Sequence, residues 1–200
     1  MAFISSGTTI LDNGAFSVGL GGLVLLSEQT ASASASISFT SGIDSTYDIY
    51  KFEFINIHPA TNDITFQFNL STNGGSTYVV TKTTTLFRAT HGEDGSSGGL
   101  SYLPSSSLAQ STAYQALAQS VGNDNDQNIG GYLYLFNPSS TTYVKNFITN
   151  VNSTAHSDRT NNEFAAGYGN TTSAVNAINF KFSSGNIDAG TIKMYGIKGS

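Results

Sequence analysis

The sequence predicts an all-β protein: an antiparallel two-sheet β-sandwich, jelly-roll-like, with at most one short helix. Three observations lead there. Apolar and polar residues alternate with period two along most of the chain, which sends one face of each stretch into a core. The alternating stretches are rich in β-branched and aromatic residues and are bounded by Gly, Asn and Ser. Only 10% of the residues are charged, against about 25% in ordinary globular domains. Ser, Thr and Asn fill that gap among 12% aromatics, so low charge here goes with order rather than disorder.

The elements follow in chain order. "MAFISSGTTILDNGAF" lacks clean alternation and ends in a turn signal, so residues 1–16 are expected to be an N-terminal arm or a first strand. Residues 17–200 are expected to form a single β-sandwich domain, a usual size for an undivided sandwich. "LVLL" and "SASISFT" supply early strands. In "YDIYKFEFINI", Tyr50, Phe52 and Phe54 share one face, and Ile49, Ile55 and Ile57 are expected opposite. Lys51 and Glu53 lie two residues apart on one face and should form an ion pair. In "DITFQFNL", Ile64, Phe66, Phe68 and Leu70 face the core. "STNGGST" places Asn73 and Gly74 where a tight hairpin into "STYVVTKTTTLF" would need them. "HGEDGSSGG", residues 91–99, reads as a surface loop. Helix formers in "LAQSTAYQALAQ" put Leu108, Ala109, Tyr114 and Leu117 at loose helical spacing, so Leu108–Gln119 is the one place for a helix. Asn137 and Pro138 turn "GYLYLFN" into "TYVKNFITNV". "VNAINFKF" and "GTIKMYGI" bring the total to nine or ten strands. "ISFTSGIDSTYDIYKF" is echoed by "INFKFSSGNIDAGTIKMYGI", either as two hairpins that solve the same turn alike or as a two-fold layout whose first and last hairpins pair in one sheet.

The composition excludes several chemistries. With no cysteine there are no disulfides, thiolate zinc sites or cysteine nucleophiles. A net charge of −5 with eight basic residues argues against nucleic acid. The neutral start "MAFISSGTTI" does not read as a secretory signal, and "GLGGLVLL" is too short to cross a bilayer. Synthesis in a cytoplasm without secretion or membrane insertion is expected.

Candidate sites are weak by the same chemistry. Asp124, Asp126 and Asn128 match the oxygen ligands of a calcium loop, but Ile129 and Leu135 stand where the EF-hand pattern needs Gly and a bidentate acid. A solvated turn is expected. Ser97 in "GSSGG" fits the letters of a serine-hydrolase elbow without its strand-turn-helix context. His58, His91 and His156 have no second histidine at ligand spacing. The glutamates, Glu28, Glu53, Glu93 and Glu163, nominate no acid–base pair for glycoside hydrolysis. Tyr132 and Tyr134 alternate onto one face and could form a platform for a sugar, but half-buried aromatics on a sheet are the expected reading. No catalytic, cofactor or metal residue is assigned.

"GYLYLFNPSSTTYVKNF", with "FINIHPATNDITFQFNLSTNGGSTY" before it and "AGYGNTTSAVNAINFKFSSGNIDAGTIKMYGIK" after it, resembles small virion-associated proteins of tailed bacteriophages, particularly marine podovirus-like phages. The resemblance runs from "SGTTILDNGAF" to "GTIKMYGI" and is weakest over residues 91–99 and 108–120. It implies a β-sandwich on the outside of a particle, with no catalytic residues to transfer. The expected function is a capsid decoration (cement) protein. Its partners would be the major capsid protein or other virion proteins and copies of itself, a trimer being favoured. A tail-fibre or lectin-like glycan-recognition module is the alternative, and a polysaccharide depolymerase the third reading.

Overall fold

The computed structural model describes residues 22–95 and 97–197, and before them the backbone of three short strands. These are β1 (Phe3–Ser5), β2 (Thr8–Asp12) and β3 (Ala15–Phe16), paired in the order β1-β2-β3 as a sheet of their own. The arm expected over residues 1–16 falls on this segment, whose side chains lie outside the described residues.

Twelve further strands follow: β4 (Leu23–Thr30), β5 (Ile37–Phe39), β6 (Ile49–Pro59), β7 (Ile64–Ser71), β8 (Lys82–Gly92) and β9 (Gly98–Tyr102). After a 3-10 turn at Pro104–Ser106 come β10 (Gln115–Val121), β11 (Ile129–Phe136), β12 (Lys145–Ala155), β13 (Arg159–Gly169), β14 (Ala177–Phe182) and β15 (Ile187–Ile197). They form one antiparallel sheet in the order β4-β15-β6-β11-β12-β10-β7-β14-β5. The sheet curls into a nearly closed barrel. At its gap the Gln29 amide on β4 donates to the Ser38 carbonyl on β5. The ladders thus trace one curled sheet and do not by themselves divide it into two jelly-roll layers.

The sheet branches at β12. Along one edge β12 pairs with β13 from Lys145 to Ala155, and β13 carries β8 and β9 outward as a flap. Only the Val121↔Ala155 pair continues the barrel into β10. Strand β10 is therefore covered on both sides. Leu117 enters the main core, while Ala116 meets Leu86 and Ala165 of the flap. This overturns the helix expected over Leu108–Gln119. Small residues buried on two faces erase strand alternation and leave an Ala-rich stretch that imitates a helix.

The core is phenylalanine. Phe180 lies 5.5 Å from Phe52, 5.3 Å from Phe54 and 6.2 Å from Phe66, ring centre to ring centre. All four are buried, each contributing about 1.5–3 kcal/mol by leaving water.

Two further expectations are corrected. Ile57 is buried with Phe54 instead of facing away, because Asn56 adopts a φ of 51° and inserts a bulge. The pairing slips beside it on both neighbours, β11 and β15. Asn73 and Gly74 do form a turn, but β7 and β8 do not pair; β8 leaves for β13.

The internal echo has a structural counterpart. Neither echoed unit is a hairpin: β5 pairs with β14, and β6 pairs with β15. Ile37 faces Phe180 while Phe39 faces Ile178, and Lys51 faces Tyr195 while Glu53 faces Lys193. Each ladder reads the same when its two strands are exchanged, about Ser38↔Asn179 in one and about Phe52↔Met194 in the other.

Candidate functional site

The face of the sheet that points away from the core carries a row of residues in register. Starting at β6 it runs Glu53, Tyr132, Asn150, Phe164, Phe87, Tyr102. Alternation explains the row, since the neighbours Phe52, Leu133, Val151, Ala165 and Leu86 are buried. The end at β6 is charged but balanced. Lys51 donates to Glu53 at 2.5 Å, as expected from their spacing, and Lys193 lies 3.1 Å from Glu28. Burial works against the Lys51 charge, but Glu53 beside it holds its pKa above the ordinary value.

Beyond Glu53 the row carries no charge. Tyr132 and Tyr134 sit together as expected, half-buried, with rings 5.2 Å apart and Lys51 Nζ 5.8 Å from each ring centre. Phe87 and Phe164 stack 5.0 Å apart with only 10° between their planes. Between these pairs lies a groove of about 230 Å³, lined by Tyr132, Ile148, Asn150, Phe164 and Phe87. Phe87 is 39% exposed, Ile148 46% and Tyr102 60%. The arrangement can hold an apolar or amphipathic surface: flat aromatic faces with Asn150 and Thr85 as the polar groups at hand.

Phe164 and Tyr102 escape a reading of the sequence, whereas Phe87 ends the expected strand "STYVVTKTTTLF". Tyr102 lies on β9, which begins inside the expected surface loop 91–99 and runs past it. Phe164 lies on β13, whose "TNNEFAAGYG" mixes small and polar residues and does not alternate visibly. The in-register meeting of the three is a product of β8 and β9 folding out beside β13.

The other candidates are dispersed. Asp124, Asp126 and Asn128 are exposed, and the loop around them is organised by the buried Gln127. Asp124 N–H donates to Gln127 Oε1 at 3.2 Å, and Gln127 N–H donates to the Asp124 carbonyl at 2.8 Å. A Cβ at Gly122 would collide with the Gln127 amide, so that side chain needs glycine beneath it. His58 Nε2 lies 3.2 Å from the Asp124 carbonyl. His156 Nδ1 lies 3.2 Å from Asp63 Oδ1 and 3.3 Å from the Ser120 carbonyl. Facing two acceptors, that nitrogen carries a proton. His91, Glu93 and Ser97 are exposed at the β8–β9 turn. Among the described residues, no three His, Asp or Glu side chains gather as a metal would need.

Glu163 is the exception: it is fully buried, with Arg88 Nη1 3.5 Å from its Oε1. Burial pushes its carboxyl up to about 7, more than Arg88 and the Gln119 backbone can offset.

Compared with protein-family models, curated proteins and solved structures, the chain matches none.

Proposed function

We propose that the chain is a structural protein of a phage particle: a decoration (cement) protein that binds the outer face of the capsid shell. In this reading it is made in the host cytoplasm and joins the virion exterior as a homo-oligomer, a trimer being favoured. The curled sheet works as a β-sandwich, closed on its Phe core, with one outer face turned to its neighbours. The observation that carries the reading is the uncharged aromatic row Tyr132, Phe164, Phe87 and Tyr102. Single exposed aromatics are ordinary, but a row in register across five strands is a contiguous patch of the kind that meets other proteins. Repetition over a lattice would multiply modest contacts into firm attachment. The resemblance of the β11–β12 and β14–β15 segments to virion proteins supports the particle context.

The test is sedimentation with assembled empty shells. The wild-type chain should pellet with shells, and the double substitution Phe87→Ser, Tyr102→Ser should leave it in the supernatant. A wild-type chain that ignores shells at saturating concentration overturns the reading.

A second reading, a tail-fibre or lectin-like glycan module, is favoured by Tyr132, Tyr134 and Lys51. Tyrosine faces beside a cation suit a sugar ring. Selective signals on a glycan array, lost in Tyr132→Ala, would favour this reading over the first.

A further inference from the structure

The chain contains two arginines, Arg88 and Arg159, and both line one cavity of about 180 Å³. The cavity opens where β10, β8 and the β12–β13 turn meet, and Ser120, His156, Ser157 and Asn161 complete most of its wall. Four buried side-chain polar atoms lack a hydrogen-bond partner among the described residues; one of them, Arg159 Nε, belongs to a wall residue of this cavity, and two others, Ser153 Oγ and Glu163 Oε2, lie on the adjoining strands β12 and β13. Arg159, Asn161 and Glu163 share one face of β13 by alternation, and Ser153 pairs in register with Asn161. Since roughly 90% or more of buried polar groups are partnered, an orphaned guanidinium nitrogen on a cavity wall calls for an explanation.

The charges are also incompletely matched. Glu163 lies against Arg88, and Asp63 against His156. Arg159 makes no ion pair and no side-chain hydrogen bond with any described residue. Glu93 and Asp158 line the adjoining hollow with it, and neither forms an ion pair with its guanidinium. Glu163, pushed up to about 7, carries only part of its charge near neutrality, so Arg88 is not fully neutralised either. Ser120, held at a φ of 57°, turns its carbonyl onto the His156 backbone N–H at 3.0 Å and fixes the rim.

We propose that this cavity binds a small oxyanion, a carboxylate or a phosphate, carried by a hydroxylated molecule no larger than one sugar ring. A guanidinium fork suits either oxyanion, and two of them line one wall here, Arg159 without an ion pair among the described residues. Ser120 and Ser157 offer hydroxyl groups to the hydroxyls of the same ligand. The inference is independent of where the protein sits in a particle.

Isothermal titration of the full chain with glucuronate, glucose 6-phosphate and glucose tests it. One or both acids should bind saturably while glucose does not, and the stronger arm identifies the oxyanion. Arg159→Ala should weaken that binding at least about tenfold, with Arg159→Lys recovering part of it. If Arg159→Ala melts well below the wild type, His156→Ala replaces it and should weaken binding in the same direction. Three results would overturn the proposal: no acid bound at about 10 mM, glucose bound as well as the acids, or unchanged binding in the folded variants.

Discussion

Lys82 on β8 donates from Nζ to Asn69 Oδ1 on β7 at 2.5 Å, and solvent reaches neither residue. The ammonium also donates to the Val80 carbonyl at 2.8 Å, and no carboxylate pairs with it among the described residues. A buried cation held only by neutral oxygens is costly, and burial pulls the Lys82 pKa down to about 8.

Stability should therefore rise with pH at the alkaline end. Between about 8 and 10.5 the unfolded chain holds a proton on this lysine that the folded chain has released, so raising the pH favours folding. Below 8 both states are protonated and the cost is constant. The gain is on the order of 3 kcal/mol. Lys145, also buried and also lowered by burial, acts in the same direction. Urea unfolding of wild type and Lys82→Met from pH 7 to 10 checks this: the difference between the two curves should shrink as pH rises.

Glu163 sets the opposite slope at lower pH. Its folded-state pKa, about 7, lies above the ordinary 4.5, so between these values the folded chain binds the extra proton. Stability should fall as pH rises from 4.5 to 7, by roughly 3 kcal/mol, and stay level beyond. Glu163→Gln should flatten that part of the profile in the same unfolding measurement. A steeper fall in the variant would show that Arg88 outweighs burial.

Phe180 touches the rings of Phe39, Phe52, Phe54, Phe66 and Phe68. Phe180→Ala should cost about 3–5 kcal/mol through lost transfer energy and the cavity left behind. A Tyr substitution at Phe87, on the outer face, should stay within about 0.5 kcal/mol. Thermal denaturation of the two variants side by side measures the contrast.

Gly190 holds a φ of 114° opposite the Asn56 bulge, and a Cβ there would lie 2.5 Å from the Asn56 carbonyl oxygen. Backbone atoms cannot rotate aside as a side chain can. Gly190→Ala should destabilise by about 2–4 kcal/mol, whereas alanine at Gly99, where nothing lies within 4 Å, should cost little. Melting temperatures separate the two.

Much of the strand content was legible from local pattern. Lys51 pairs with Glu53, Tyr132 stands beside Tyr134, and β11 turns into β12 through Asn137 and Pro138, because each relation spans a few residues of one regular backbone. Strands β9, β10 and β13 were not legible. β10 is buried on both faces, and β9 and β13 mix glycine, polar and aromatic residues on a flap whose outer face is open, so the usual contrast between inward and outward positions is missing.

By itself the sequence determined the strand-forming periodicity, the Phe-rich core faces and the shortage of charge, since those depend on which residues follow one another. Only the tertiary structure decided that Phe87, Phe164 and Tyr102 lie in one row and that Arg88 and Arg159 share one cavity. Arg88 and Arg159 are far apart along the chain, and what joins them is a choice of strand partner. That choice follows from how the faces of β8, β10 and β13 pack together, which no local pattern encodes.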